Sequence, residues 1–147
     1  MPELTTLVST TEDEPRREKL NALFRAYNDE KSVWHKDIRA TGGNPFDVYL
    51  EDENGELIAG LYGESYWQSM EIDRLWVHED YRHQGLGSQL LGKAIEHAQK
   101  KQCRFVHLTT FSFQAPDFYQ KHGFTVVGQL LDLPPGFAKY WLRKDLE

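Results

Sequence analysis

The sequence predicts a mixed α/β domain with a mostly antiparallel central sheet and helices on both faces. Three observations carry this. Residues 46–50 and 57–62 are strand-like runs separated by Asp52-Glu-Asn-Gly55, whose Asn-Gly pair is hairpin-turn chemistry. Residues 71–98 pass from a run rich in β-branched and large apolar side chains, through a glycine loop, into an amphipathic helix. The short apolar run at 105–110 then has the length of a buried strand, parallel to the one before the helix through a right-handed crossover. Strands therefore alternate with helices only in the middle of the chain.

Taken in order, Leu4-Thr-Thr-Leu-Val8 reads as a short strand. Polar residues 9–13 can cap a helix whose first turn holds Pro15, and Leu20, Leu23, Phe24 and Tyr27 share one of its faces. A second short helix is expected around residues 33–38, closed by Gly42-Gly43. The strand from Leu57 runs on towards Trp67, turns near Gln68, and starts a third strand over 70–77, which completes a meander. Leu86, Leu90, Leu91, Ala94, Ile95 and Ala98 lie on one face of the long helix, which runs from Ser88 to about Lys101. A short helix over 115–122 stops at Gly123. Residues 124–131 form a strand, Pro134-Pro135-Gly136 breaks the chain, and 138–143 form the last strand.

The length of 147 residues suits one domain spanning 1–147. Its 39% hydrophobic content permits a core, and 27% charged content fits a soluble surface. A net charge of -6 argues against a nucleic-acid binder and favours a cationic partner. The lone cysteine, Cys103, has no partner for an internal disulfide and reads as packing in a reducing compartment. No secretory leader or membrane-length apolar run is visible, so the expected location is cytoplasmic, with no membrane partner. No trusted metal spacing involves the six histidines, and no Gly-x-Ser-x-Gly is present.

The chemistry concentrates in Arg82-His-Gln-Gly85-Leu-Gly87. Glycines let the backbone approach a ligand, and the helix start that follows leaves N–H groups free, so strand, loop and helix form a phosphate cradle. It is not a dinucleotide fingerprint, because Leu90 stands where the third glycine belongs. Gly87-Ser-Gln-Leu-Leu-Gly92-Lys93 mimics a P-loop, but Ala94 replaces the Mg²⁺-binding Ser or Thr and Gly92 falls inside the helical pattern.

Arg82-x-x-Gly85-x-Gly87, with Tyr81 and Leu75-Trp-Val77 before it and Leu90-Leu91 after it, resembles the pyrophosphate loop of the GCN5-related N-acetyltransferase (GNAT) family. Ala115-Pro-Asp-Phe-Tyr119-Gln-Lys-His-Gly123-Phe124 is similar to the family's second signature, in the right order and at a normal separation. The resemblance covers about residues 71–124 and implies a small, single-domain member of bacterial type with the acyl-CoA N-acyltransferase fold. Its implied activity is acetyl-CoA-dependent transfer to a primary amine, without a metal. Arg82, His83, Gln84, Gly85, Leu86, Gly87 and Ser88 match the family's pyrophosphate run. Leu75, Trp76 and Val77 match positions that pair with pantetheine, and a core strand is compatible with that role.

Tyr119 matches the family's general acid. The alternative is a packing aromatic beside Phe118. Ser112 stands where many relatives carry a CoA-contacting Asn, and Gln114 is a substitute for it. Glu71 occupies the place of the base in histone-modifying relatives. Asp73 shares its strand face if alternation holds, although a bulge, common in the family, would upset it. Glu64, Glu71 and Asp73 either line an acidic acceptor pocket or are solvated carboxylates at the sheet edge. His107 reads as a satisfied histidine on a buried strand. The region holding Trp34 covers the acceptor side in the family, so Trp34 and His35 are candidate substrate contacts or, alternatively, a packing and a surface residue. Acidity favours a small cationic amine as acceptor. A protein lysine, an N-terminus or a non-catalytic CoA-binding role are the alternatives, and the sequence leaves a homodimer open.

Overall fold

The computed structural model describes residues 2–146. Its sheet is built from β1 (Asn44–Glu51), β2 (Leu57–Tyr66), β3 (Ser69–Val77), β4 (Phe105–Phe111), β5 (Thr125–Leu131) and β6 (Ala138–Asp145). Their spatial order is β1-β2-β3-β4-β6-β5. Every neighbouring pair is antiparallel except β3 and β4, which are joined through helix α3 (Leu86–Lys100). Helices α1 (Glu14–Lys31) and α2 (Val33–Thr41) precede the sheet, and α4 (Pro116–Lys121) lies between β4 and β5. The mixed, mostly antiparallel sheet expected from the sequence is present.

The chain divides into two compact units, Met1–Gly42 and Gly43–Glu147. Within the first, Asp13 caps α1 by accepting from the Arg16 N–H at 3.1 Å and pairs with the Arg16 guanidinium at 2.8 Å. Ser32 caps α2, which ends at Gly42 with φ 72°. Arg39 clasps Asp29 with Nη2 and Nε at 2.7 and 3.2 Å, which ties the two helices together. The face of Leu20, Leu23, Phe24 and Tyr27 forms as expected and is exposed. Residues 4–8 are not a strand. They have no ladder partner among the described residues, and an apolar run without one gains nothing from extension.

In the second unit, Leu90, Leu91, Ala94 and Ala98 bury one stripe of α3. They pack with Leu61, Met70, Ile72, Val106, Leu108, Leu142, Tyr119 and Phe124, and Cys103 is buried in the same cluster as a packing residue. Each leucine so buried contributes about 1.5–3 kcal/mol. α3 begins at Leu86, two residues before the expected start, because Gly85 at φ 78° serves as its N-cap. No described helix is long and apolar enough to cross a membrane.

Two irregularities shape the middle of the sheet. Tyr62 pairs with Arg74 and Gly63 with Ile72, so Asp73 is an extra residue and β3 bulges there. Gly63 is required at that point, because a Cβ would collide with the Glu71 carbonyl oxygen and stand 3.0 Å from Ile72 Cα. Further along, β3 and β4 pair only from Ser69–Phe105 to Glu71–His107 and then separate.

Candidate active site

Beyond the Glu71–His107 pair an open cleft of about 990 Å³ runs between the separating strands. One wall is residues 72–77 of β3 and the other residues 108–111 of β4. The loop at 81–88 closes one end, and Gln114, Phe118 and Tyr119 close another side. Past Glu71 the β4-facing edge of β3 has no ladder partner among the described residues, so its backbone groups there are available to an amide-bearing chain.

The cradle is built by backbone geometry. His83 at φ 63° and Gly85 at φ 78° both adopt left-handed conformations and swing the chain into α3. The Arg82 Nε donates to the Val77 carbonyl at 3.0 Å, anchoring the loop to the end of β3. No side chain among the described residues caps α3. The first intrahelical bond of the turn is Gln89 N–H to the Gly85 carbonyl at 3.0 Å, so the N–H groups of Leu86, Gly87 and Ser88 precede the helical ladder. All three residues line the cleft. Gly87 lies against Phe118, where a Cβ would stand 3.3 Å from the ring edge. Free N–H groups at the positive end of a helix dipole fit a pyrophosphate.

Tyr119 is 8% exposed, stacked edge-on against Phe118 at 5.2 Å and Phe124 at 5.7 Å. Its hydroxyl makes no hydrogen bond among the described residues, and burial pushes its pKa up to about 12. Tight packing and a phenol that keeps its proton at neutral pH therefore coexist at this residue.

The bulge breaks the expected alternation and turns Asp73 into the cleft wall, while Glu71 stays behind it. Partial burial first, and the Glu71 charge second, raise the Asp73 carboxyl above its ordinary value. Glu64, Glu71, His107 and Arg143 occupy one row across four strands. In that row the Tyr66 hydroxyl donates to Glu71 Oε1 at 2.7 Å. Burial, then that carboxylate, raise the Tyr66 phenol far above its usual value. His107 packs edge-on to Tyr66 at 6.2 Å and beside Phe105 at 5.7 Å. Its ring makes no hydrogen bond among the described residues, so it is not the satisfied histidine expected from the sequence. Burial lowers its pKa against the opposing pull of Glu71.

Of the residues singled out from the sequence, Asp73, Leu75, Trp76, Val77, Arg82, His83, Gly85, Leu86, Gly87, Ser88, Gln114 and Tyr119 meet at the cleft. Gln84, Glu64, Glu71 and Ser112 are not in its lining. Ser112 instead clamps β4 to β6, accepting from the Ala138 N–H at 2.9 Å and donating its own N–H to the Ala138 carbonyl at 2.8 Å. Gln114 Oε1 accepts from the Phe111 N–H at 2.8 Å and Thr110 Oγ1 at 3.0 Å, so that end of the amide shapes the turn. Trp34 lies on α2 in the first unit and is exposed. The sequence reading missed Tyr66 and His122. Tyr66 lies two residues from Glu64 on one strand face, a signal that alternation could have provided.

The model of the acetyltransferase (GNAT) family matches residues 4–124. The chain is 37% identical over 130 residues to the blasticidin-S acetyltransferase of Streptomyces morookaense, covering 84% of this chain and 96% of that protein. An acetyltransferase crystal structure from Bacillus cereus superposes with a TM-score of 0.79 at 32% identity, covering 97% of this chain and 98% of that one. A Bacillus anthracis structure in complex with acetyl coenzyme A shares the fold, with a TM-score of 0.62 at 20% identity over 71% of this chain and 64% of that one.

Proposed function

The chain belongs to the GNAT acetyltransferase family, and from that premise we propose that it moves an acetyl group from acetyl-CoA to the primary amine of a small cationic molecule. We read residues 1–147 as one such domain. The observation that carries the proposal is the parting of β3 and β4 beyond Glu71–His107. It sets an anion cradle, an open strand edge and a buried phenol along one cleft.

In this reading the N–H groups of Leu86, Gly87 and Ser88 hold the pyrophosphate, with Arg82, His83 and Gln84 shaping the loop. The free edge at Leu75, Trp76 and Val77 pairs with the pantetheine arm and offers N–H donors to the carbonyl oxygen as charge develops there. When bound, acetyl-CoA supplies a thioester carbonyl for the amine to attack. Asp73, whose raised carboxyl is a stronger base than an ordinary aspartate, takes the proton that the amine must lose. Glu71 and Glu64 hold the row behind it negative and favour a cationic acceptor. Tyr119 keeps its proton at neutral pH and delivers it to the departing thiolate. The similarity to a blasticidin-S acetyltransferase supports a small-molecule acceptor.

The test is an acetyl-CoA consumption screen over blasticidin S, polyamines, aminoglycosides, amino acids and peptides, repeated with Asp73→Asn and Glu71→Gln. Cationic small amines should lead, and each variant should lower kcat/KM on them by at least about tenfold. A best acceptor that is neutral, anionic or a peptide would overturn the acceptor assignment. Unaltered kinetics in both variants would overturn the roles of the carboxylates.

A further inference from the structure

We infer that His122 is a positioning residue for the phosphate cradle, donating its ring Nε2–H to Ser88 so that the Ser88 hydroxyl proton turns to a bound phosphate. The inference rests on the reading of the 82–88 loop as the pyrophosphate site.

His122 Nε2 lies 2.9 Å from Ser88 Oγ. Ser88 is in the first turn of α3 and lines the cleft, whereas His122 caps the end of α4 outside the lining. A serine hydroxyl has one proton and two lone pairs. If Ser88 donated to the imidazole, it would present only lone pairs to the cleft, and these repel an anion. If the imidazole donates, the Ser88 proton is free for a phosphate oxygen. An anion in the cradle therefore selects the ring form with hydrogen on Nε2.

The ring is held for this role from several sides. It tilts against Phe118 with centroids 4.8 Å apart, and Phe118 in turn rests on Gly87 in the same first turn. The His122 N–H donates to the Tyr119 carbonyl at 3.0 Å, and its carbonyl accepts from Lys144 Nζ at 2.8 Å. Leu at this position would fill the space but supply no donor. Gln would supply an N–H of similar reach.

The experiment is calorimetric titration of the full-length protein with CoA and, separately, with pantetheine, which lacks the phosphates. His122→Leu should weaken CoA by roughly two- to tenfold, the loss expected for the neutral hydrogen bond that orients Ser88. Pantetheine binding should not change, and His122→Gln should recover most of the CoA affinity. In a Ser88→Ala background, His122→Leu should add no further loss. Wild-type CoA affinity in His122→Leu would overturn the inference, as would an equal loss for pantetheine or simple additivity with Ser88→Ala. Histidine ¹⁵N NMR of the wild-type CoA complex decides independently of any variant's folding: a hydrogen on Nε2 supports the inference and a bare Nε2 overturns it. A wild-type protein that bound no CoA would instead bring down the reading of the loop, and this inference with it.

Discussion

A phenol serves as an acid only if it keeps its proton until the leaving group needs it. Tyr119 meets that condition, since burial holds its pKa at about 12 and no described neighbour draws the proton away. Tyr119→Phe removes one oxygen and keeps the ring contacts to Phe118 and Phe124, so the fold should survive. Turnover should fall by roughly 10²–10⁴-fold, the range of a positioned proton donor. CoA affinity measured by calorimetry should stay constant, because the lost interaction belongs to the transition state. If acetyl transfer in a single-turnover experiment ran at the wild-type rate, Tyr119 would be a packing residue only.

At the scale of elements, the bulge in β3 decides which carboxylate meets the cleft. It depends on Gly63, whose missing side chain lets the Glu71 carbonyl come close. Gly63→Ala must push β2 and β3 apart or flatten the bulge, and overpacking of this kind costs about 1–3 kcal/mol. Chemical denaturation should report that loss. Acceptor KM should rise with it, since flattening restores alternation and turns Asp73 away. CoA binding at the start of α3 should hold. A Gly63→Ala protein as stable as wild type would show that the backbone can yield there without consequence.

For the whole molecule, two histidines tie stability to pH. His97 stacks on Phe46 at 4.5 Å with its Nε2 buried and without a hydrogen-bond partner among the described residues, and burial followed by Lys101 and Lys100 lowers its pKa. His107 is lowered chiefly by burial too. Below the ordinary value of 6.5 the unfolded chain takes up these protons before the folded one does. Stability is therefore fully present above about pH 6.5 and declines as pH falls towards the lowered folded values. Asp73 acts in the opposite sense: its contribution is fully present below its ordinary value of 3.8 and is lost as pH rises. Thermal melts should show a lower Tm at about pH 5.5 than at about pH 7.5. A flatter dependence is expected in His97→Gln, and an unchanged slope in that variant would remove His97 from the account.

What the sequence by itself determined was local or periodic. The stripe from Leu86 to Ala98, the hairpin at Asn54-Gly55 and the glycine loop at 82–87 are each written within a few turns of chain, where backbone sterics and burial of one face suffice. The family resemblance rests on those same stretches, and with them the cradle and Tyr119 were legible. Pairing across strands decided the rest. No periodicity reveals that Asp73 is the extra residue against Gly63, because a bulge is a mismatch between two strands and exists in neither alone. Likewise His107 falls level with Glu71, and Ser88 meets His122 across 34 residues, only once the crossover has set the register. Residues 4–8 mark the converse: an apolar run states a preference for extension, but a strand needs a neighbour to bond, and only the fold supplies one.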